Sequence, residues 1–408
     1  MLKSMRYHIG IFGLRNVGKS SFINLIGQQI TSIVSSIPGT TTDPVKRFME
    51  IPPIGPVVII DTAGIDDQGV LGEKRIKSTM HALNSCDLSI LICDQSGITK
   101  DHKIIITEFT KRKIPWFIVW NKSDLYSPSQ TELETLINTY QVPVISLSTM
   151  TRDSIPLVIE TITHLFSQST NLDSSILGDL VQTGDLILLV TPIDQEAPKK
   201  RLIQPQVQTI RDALDNDCMV MMLKERELDT FFKKSNLMPK LVITDSQVFL
   251  KVAASVPRHI MLTSFSILFA RLKTPFFKLV EGTRQIANLK DHDKILILES
   301  CSHHQAGDDI GTVKIPRWIR NFTGKNLSFD IKSGNDFLPE DTSQYQLVIQ
   351  CGGCMLTKRE VNTRLQPFFD QNIPVTNYGM CIAYTLGIFE RTLECFNHLK
   401  LPSFEDYL

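Results

Sequence analysis

Short apolar runs punctuate the first part of the chain, at Ile9–Phe12, Val57–Ile60, Leu88–Cys93, Trp116–Trp120 and Val142–Leu147, and stretches of helical periodicity separate them. Such alternation predicts a mostly parallel sheet with helices on both faces. The stretch Ser167-Gln168-Ser169-Thr170-Asn171 is polar and aperiodic, as linkers are, and marks a boundary. Beyond it the pattern resumes. Leu186–Val190 and Leu241–Thr244 read as strands of one small α/β unit, and Ile295–Leu298 and Leu347–Ile349 as strands of a second. The expected organisation is an α/β domain over 1–170, followed by two smaller α/β domains over 173–272 and 273–408.

Composition narrows the class. The hydrophobic share of 42% and charged share of 21% are those of an ordinary soluble protein. Formal net charge is zero, which argues against broad electrostatic binding of nucleic acid. No stretch approaches the roughly 20 uninterrupted apolar residues of a membrane span. The N-terminal run Ile9-Gly10-Ile11-Phe12 is too short for a signal-peptide core and reads as a first strand, so a cytoplasmic location is expected. In such a setting the eight cysteines do not form a disulfide framework, and a C-x-x-C is more often metal-binding or redox-active.

The first strand runs into Gly13-Leu14-Arg15-Asn16-Val17-Gly18-Lys19-Ser20, which fits G-x-x-x-x-G-K-S, the P-loop. Its glycines let backbone N–H groups point at phosphate oxygens, Lys19 reaches the β- and γ-phosphates, and the Ser20 hydroxyl ligates Mg²⁺. Gly13, Asn16, Val17, Gly18, Lys19, Ser20 and Ser21 are therefore candidate nucleotide-binding residues. Asp61-Thr62-Ala63-Gly64 follows the strand ending at Ile60, so that Asp61 holds Mg²⁺ through water and the Gly64 N–H senses the γ-phosphate. Asn121-Lys122-Ser123-Asp124 is the guanine reader N-K-x-D: a carboxylate at Asp124 accepts two N–H donors that guanine has and adenine lacks. Ser146-Leu147 stands where such proteins carry a Ser-Ala that touches the base. The fold class expected is thus α/β, a P-loop GTPase domain with two smaller α/β domains after it.

Pro38-Gly39-Thr40-Thr41-Thr42-Asp43 fits the first switch, with Thr41 favoured to complete the Mg²⁺ shell, the lesser alternative being that these threonines cap a turn. The predicted catalytic set is Lys19, Thr41, Asp61 and Gly64. Ile65 stands where Ras-type enzymes have a water-orienting glutamine, and an alkyl side chain cannot orient water. Asn16 lies where a subclass of GTPases binds K⁺, and together with the G-T-T-x-D string it resembles the tRNA-modifying and ribosome-assembly GTPases. That resemblance implies slow hydrolysis stimulated by K⁺. The alternative for Asn16 is a polar residue that steadies the loop.

The later domains carry two further groups. Asp194, Asp212 and Asp245 either gather at a metal or are strand-end carboxylates that cap helices, capping being the commoner use. Cys301-Ser302-His303-His304 and Cys351-Gly352-Gly353-Cys354 each follow an apolar strand, at the sheet end where α/β sites gather. Three thiolates, Cys301, Cys351 and Cys354, favour zinc or an iron–sulfur cluster. Zinc would recruit His303 or His304 as its fourth ligand, a [4Fe–4S] cluster would tolerate an open iron, and the C-x-x-C alone would also suit a redox disulfide. Cys86, Cys93, Cys218, Cys381 and Cys395 sit in apolar surroundings and read as packing residues.

Beyond these motifs, the strings Val190-Thr191-Pro192-Ile193-Asp194, Pro205-Gln206-Val207-Gln208-Thr209-Ile210-Arg211-Asp212, Thr244-Asp245-Ser246-Gln247, Thr263–Arg271, Lys314-Ile315-Pro316-Arg317 and Thr376-Asn377-Tyr378-Gly379 resemble the HydF family of [FeFe]-hydrogenase maturation GTPases along essentially the whole chain. The family's metal motif is C-x-H followed by H-C-x-x-C. Cys301 and His303 match its start, residues 304–349 follow, and Cys351 and Cys354 match its end, with Gln350 in place of the usual histidine. The resemblance implies a [4Fe–4S] cluster on Cys301, Cys351 and Cys354, with His303 a further candidate ligand. It also implies GTP/GDP and Mg²⁺ as cofactors, a homodimer formed by the middle domain, and a scaffold role. The scaffold would receive a diiron precursor from the radical-SAM maturases HydE and HydG and deliver it to apo-[FeFe]-hydrogenase. The competing reading is an RNA-modifying or ribosome-assembly GTPase with a structural zinc site.

Overall fold

The computed structural model describes residues 6–29, 34–37, 44–65, 78–80, 82–169, 175–192, 202–300, 309–333, 338–339, 341–354 and 356–399. They form two compact units, Met1–Asp173 and Ser174–Leu408.

The first unit is built on a seven-stranded sheet. Its strands are β1 (Tyr7–Phe12), β2 (Val34–Ile37), β3 (Val45–Ile51), β4 (Gly55–Asp61), β5 (Leu88–Cys93), β6 (Trp116–Trp120) and β7 (Val144–Ser146). They lie in the order β2-β3-β4-β1-β5-β6-β7. β1 and β4–β7 pair in parallel, and β2 and β3 add an antiparallel edge. Alternate residues of one strand feed opposite cores. Ile9, Ile11, Leu88, Ile90 and Ile92 pack with Phe22, Val158, Ile162 and Phe166 on one face. Phe12, Leu91 and Cys93 pack with Ile105, Phe109 and Ile118 on the other. Burial on both faces is why these strands read as unbroken apolar runs. Parallel strands also leave every β-to-helix turn of β1, β5 and β6 at one sheet end, where the candidate nucleotide residues sit.

The second unit holds two four-stranded parallel sheets. One is ordered β11-β10-β8-β9, from β8 (Leu186–Thr191), β9 (Met219–Lys224), β10 (Leu241–Thr244) and β11 (Met261–Ser264). The other is ordered β13-β12-β14-β15, from β12 (Lys294–Leu298), β13 (Ser328–Lys332), β14 (Leu347–Gln350) and β15 (Val375–Asn377). They share one core, in which Ile187, Ile243, Phe265 and Phe269 pack in the same cluster as Ile295, Val348, Phe368 and Met380. Polar contacts cross the same boundary. Asn377 Nδ2 donates to Ser266 Oγ at 2.8 Å, and Arg391 donates to the carbonyls of Ala253, Val256 and Pro257 at 2.7, 2.8 and 3.1 Å. The strand ends therefore meet helix Phe265–Lys273 of the preceding sheet, which bears on the cysteine site below.

Of the three aspartates weighed as metal ligands or helix caps, Asp245 caps a helical turn, while Asp212, inside helix Gln204–Asp215, ties the 176–177 turn to that helix. Asp212 accepts the N–H groups of Ile176 and Leu177, both at 2.8 Å, and Asp245 accepts that of Gln247 at 3.3 Å. Asp194 lies outside the described residues. Cys86, Cys93, Cys218, Cys381 and Cys395 are buried free thiols, as packing residues are.

Asp179 sets a pH dependence for the second unit. Burial works against its ionisation, but hydrogen bonds from Arg271, at 2.6 and 2.7 Å, and from His398, at 2.8 Å, outweigh it and lower its pKa to about 2. A carboxylate depressed in the fold contributes stability above its ordinary value of 3.8 and loses that contribution as pH falls towards 2. Its side chain is 42% exposed, so solvent screening keeps the effect modest. The denaturant midpoint of D179N should lie below that of the parent at pH 6, and the gap should narrow at pH 3. A gap that widens at low pH would refute the assignment.

Candidate functional site

The first site is the turn between β1 and helix Lys19–Gln29. Gly13 has φ +151° and Gly18 φ +96°. A Cβ on Gly13 would run into the Ile92 carbonyl, and one on Gly18 into Asn121 Nδ2, so glycine is required at both. Asn16 is exposed at φ +60° and Val17 is buried. The loop wraps around the ammonium of Lys19, whose Nζ donates to Gly13 O at 3.0 Å and Leu14 O at 2.6 Å. The helix starting at Lys19 adds the N–H groups of its first turn and the positive end of its dipole, an arrangement suited to phosphate. Ser21, in its first turn, is exposed.

Ser20 Oγ donates to Asp61 Oδ2 at 2.8 Å, which brings the two expected Mg²⁺-linked side chains together, one from the start of the helix after β1 and one from the end of β4. Burial raises the Asp61 pKa, against the opposing pull of Ser20, Lys19 and Arg47. A carboxylate that burial disfavours and a cation would stabilise is suited to a divalent metal. The Asp61–Gly64 segment is pinned to the P-loop strand: Thr62 Oγ1 donates to Ile11 O at 2.6 Å, and Ile65 N to Gly13 O at 3.4 Å. Gly64 and Ile65 are buried, so the Ile65 position presents an alkyl group. Thr41 lies outside the described residues.

The guanine-reading segment is bound to the same loop. Asn121 is buried, and its Nδ2 donates to Val17 O at 2.8 Å, so the end of β6 locks onto the P-loop. Ser123 N bonds Leu147 O at 3.1 Å, and Leu147 N bonds Trp120 O at 2.9 Å, so the Ser146-Leu147 turn supports it from the neighbouring strand. Sequence reasoning missed two members. Lys122, at φ +61°, forms an ion pair with Asp94 at 2.8 Å. Burial would raise the Asp94 pKa, but Lys122 and Ser96 outweigh it and lower it. The Ser148 hydroxyl bonds Asp124 Oδ1, leaving that exposed carboxylate held by one oxygen. The available signals were an aspartate directly after an apolar strand, for Asp94, and a second serine beside Ser146, for Ser148.

The second site lies at the ends of β12 and β14. These strands pair in parallel with Leu298 opposite Gln350, so Glu299-Ser300 and Cys351 leave the sheet side by side. Ser300 N donates to Cys351 Sγ at 3.1 Å, and the thiol lies 2.9 Å from Ser300 Oγ. Gln350 Nε2 reaches Ser300 Oγ at 3.0 Å and Cys351 Sγ at 3.4 Å. Gly353, at φ +58°, makes the tight turn that brings Cys354 back. Desolvation pushes the Cys351 pKa up, a cost that a bound metal removes by holding the sulfur as thiolate. Nearby, Tyr378 donates to Glu299 Oε1 at 3.1 Å, Ser333 to Glu299 Oε2 at 3.0 Å, and Arg364 to Glu299 O at 2.8 Å. Cys301, His303 and His304 lie outside the described residues, and among the described residues no three His, Cys, Asp or Glu side chains gather as a metal site. The donor set nonetheless suits an iron–sulfur cluster: sulfurs on a glycine turn, with backbone and amide N–H groups aimed at one of them.

Comparison with known proteins follows the same division. Residues 8–122 match the model of a 50S ribosome-binding GTPase, residues 176–274 that of the hydrogen maturase F dimerization domain, and residues 277–395 that of the hydrogen maturase F tetramerization domain. The tRNA modification GTPase MnmE of Coxiella burnetii is 36% identical over 152 residues, covering 36% of this chain and 32% of that protein. MnmE of Geobacter sulfurreducens is 31% identical over 166 residues, covering 40% and 35%. The chain spans about a third of the length of these relatives. The G domain of the T. maritima FeoB iron transporter aligns with 39% of this chain and 98% of its own, at 18% identity and a TM-score of 0.32.

Proposed function

The chain belongs to the hydrogenase maturase F family, with a P-loop GTPase domain ahead of two family-specific domains, and on that premise we propose that it is a GTP-hydrolysing scaffold for [FeFe]-hydrogenase maturation. In this reading it carries a [4Fe–4S] cluster on Cys301, Cys351 and Cys354, accepts the diiron precursor from HydE and HydG, and passes it to apo-[FeFe]-hydrogenase. The observation that carries it is the parallel pairing of β12 and β14, which sets Ser300, the residue before Cys301, against the thiol of Cys351. We assign nucleotide binding to 1–170, dimerisation to 173–272 and the cluster to 273–408. The proposed place of work is the cytoplasm. No described helix is long and apolar enough to cross a membrane.

When bound, the cluster would supply an iron able to exchange its outer ligand. The chain's own residues prepare the site. Gln350 spends its amide N–H on Ser300 and Cys351, acting as a hydrogen-bond donor beside the sulfur where the family's histidine would stand as a ligand. His303 is the nearest candidate in sequence to fill the outer position. The direct test is activation of cluster-free hydrogenase by this protein co-expressed with the two radical-SAM maturases. Activation that depends on all three cysteines supports the proposal, and none above a control lacking this chain contradicts it. The tRNA-modifying relatives match the GTPase third of the chain. A colourless protein containing zinc would favour the ribosome- or RNA-linked reading over this one.

In the GTPase domain, Lys19 and the P-loop amides bind the phosphates, Ser20, Asp61 and Thr41 arrange Mg²⁺, and Gly64 N–H meets the γ-phosphate. Asp124, with Asn121 and Lys122, selects guanine, and Ser146-Leu147 backs the base. Ile65 leaves water without a side-chain orienter, so hydrolysis is slow and Asn16 recruits K⁺ to the phosphates. Turnover should be several-fold higher in KCl than in NaCl at equal ionic strength, and N16A should abolish the difference. Equal rates in the two salts would remove this assignment.

A further inference from the structure

Helix Phe265–Lys273 belongs to the sheet of β8–β11, yet its last residue works in the cysteine loop of the other sheet. The Lys273 side chain is buried, at 5% exposure. Its Nζ donates to Gly353 O and to Leu356 O, both at 2.8 Å, the carbonyls that bracket Cys354. Its stem crosses Phe269, with Nζ 5.5 Å from the ring centroid. Its own carbonyl accepts from Asn362 Nδ2 at 2.6 Å, in the helix Lys358–Asp370 that follows the loop. The ammonium is thus tied to carbonyls on either side of Cys354, and the backbone of Lys273 to the helix that follows the loop.

Burying a cation is costly, and carbonyl dipoles recover only part of that cost. A negative charge close by would interact strongly with an ammonium held this way. Each cysteine that ligates a metal does so as thiolate. Three thiolates on a [4Fe–4S]²⁺ core leave a net charge of about −1, spread over sulfur and held in a low-dielectric setting where a nearby cation acts strongly.

We propose that Lys273 is a positioning residue of the cluster site: it holds the turn that presents Cys354, and its charge offsets that of the thiolate-bound cluster, slowing cluster loss and raising the reduction potential. Because Lys273 is carried by the domain matched to dimerisation, this links the middle domain to the stability of the metal centre. The inference rests on the reading that Cys301, Cys351 and Cys354 hold a cluster.

The test compares the full-length parent with K273R, K273Q and K273M after anaerobic reconstitution with ferrous iron and sulfide. Three quantities are measured: iron and sulfide per chain, the rate of iron loss to a chelator, and the midpoint of an EPR-monitored redox titration. K273R keeps the charge and should keep the parental midpoint. K273Q keeps N–H donors for the two carbonyls without the charge, so its midpoint should move to a more negative value and iron loss should quicken on the order of 10-fold. K273M should show at least the same shift, and should it fail to fold, K273Q alone decides. A K273Q midpoint and loss rate equal to the parent's overturn the inference while leaving the cluster reading intact. A parent chain that takes up no iron and sulfide overturns both.

Discussion

Replacing Lys19 by alanine should lower kcat/KM for GTP by at least about 100-fold, a loss of roughly 3 kcal/mol of transition-state stabilisation. Two contributions disappear together. One is a positive charge at the place where negative charge moves between β- and γ-phosphates. The other is the shape of the loop itself, since Nζ ties the carbonyls of Gly13 and Leu14. Those carbonyls would otherwise face phosphate oxygens or water without a shared donor. The fold should survive, because the side chain is central to the loop and peripheral to the two apolar cores of the sheet. Phosphate release under saturating Mg²⁺, with the melting temperature as a control, checks the effect. A stable K19A chain hydrolysing GTP within threefold of the parent would show that this loop is not where the nucleotide reacts.

The strands that sequence reasoning found in the second unit are β8, β10, β12 and β14, and these are the inner pairs of the two sheets. An inner strand is covered on both faces and reads as an unbroken apolar run, as Leu-Val-Ile-Thr of β10 and Lys-Ile-Leu-Ile-Leu of β12 do. The edges went unseen. β13 is Ser-Phe-Asp-Ile-Lys and β9 ends on an exposed lysine, and polar residues on an edge discourage pairing with another chain. The antiparallel pair β2 and β3 escaped for the same reason: Val-Ser-Ser-Ile and Val-Lys-Arg-Phe-Met-Glu-Ile mix polar residues into a sheet edge.

The chemistry divides similarly. The P-loop, Asp61–Gly64 and Asn121–Asp124 are legible because each packs its function into a few consecutive residues at a strand end. Ser148 on Asp124, Asp94 on Lys122 and Lys273 on the Cys351–Leu356 loop join residues separated by 24, 28 and about 80 positions, and no local pattern encodes them. Gln350 was visible as a departure from the family's histidine, but its role as an amide donor to Ser300 and Cys351 needed the geometry.

The cysteine site is where the largest change in composition is expected. A thiolate ligand replaced by serine offers a hydroxyl that stays protonated near neutral pH and binds iron weakly. Cys351 has N–H donors from Ser300 and Gln350 already aimed at its sulfur, so C351S should lose the most. Cys354 hangs on the glycine turn above Lys273, and Cys301 follows Ser300 directly. By contrast, Cys381 is buried in the shared core, and C381S should keep its metal at some expense in stability.

The decisive measurement is therefore iron and acid-labile sulfide per chain in C301S, C351S, C354S and C381S, each reconstituted anaerobically beside the parent. The account predicts brown, iron-bearing protein for the parent and C381S, and a loss of most iron and sulfide from each of the other three. Full iron and sulfide in C301S, C351S and C354S would contradict it.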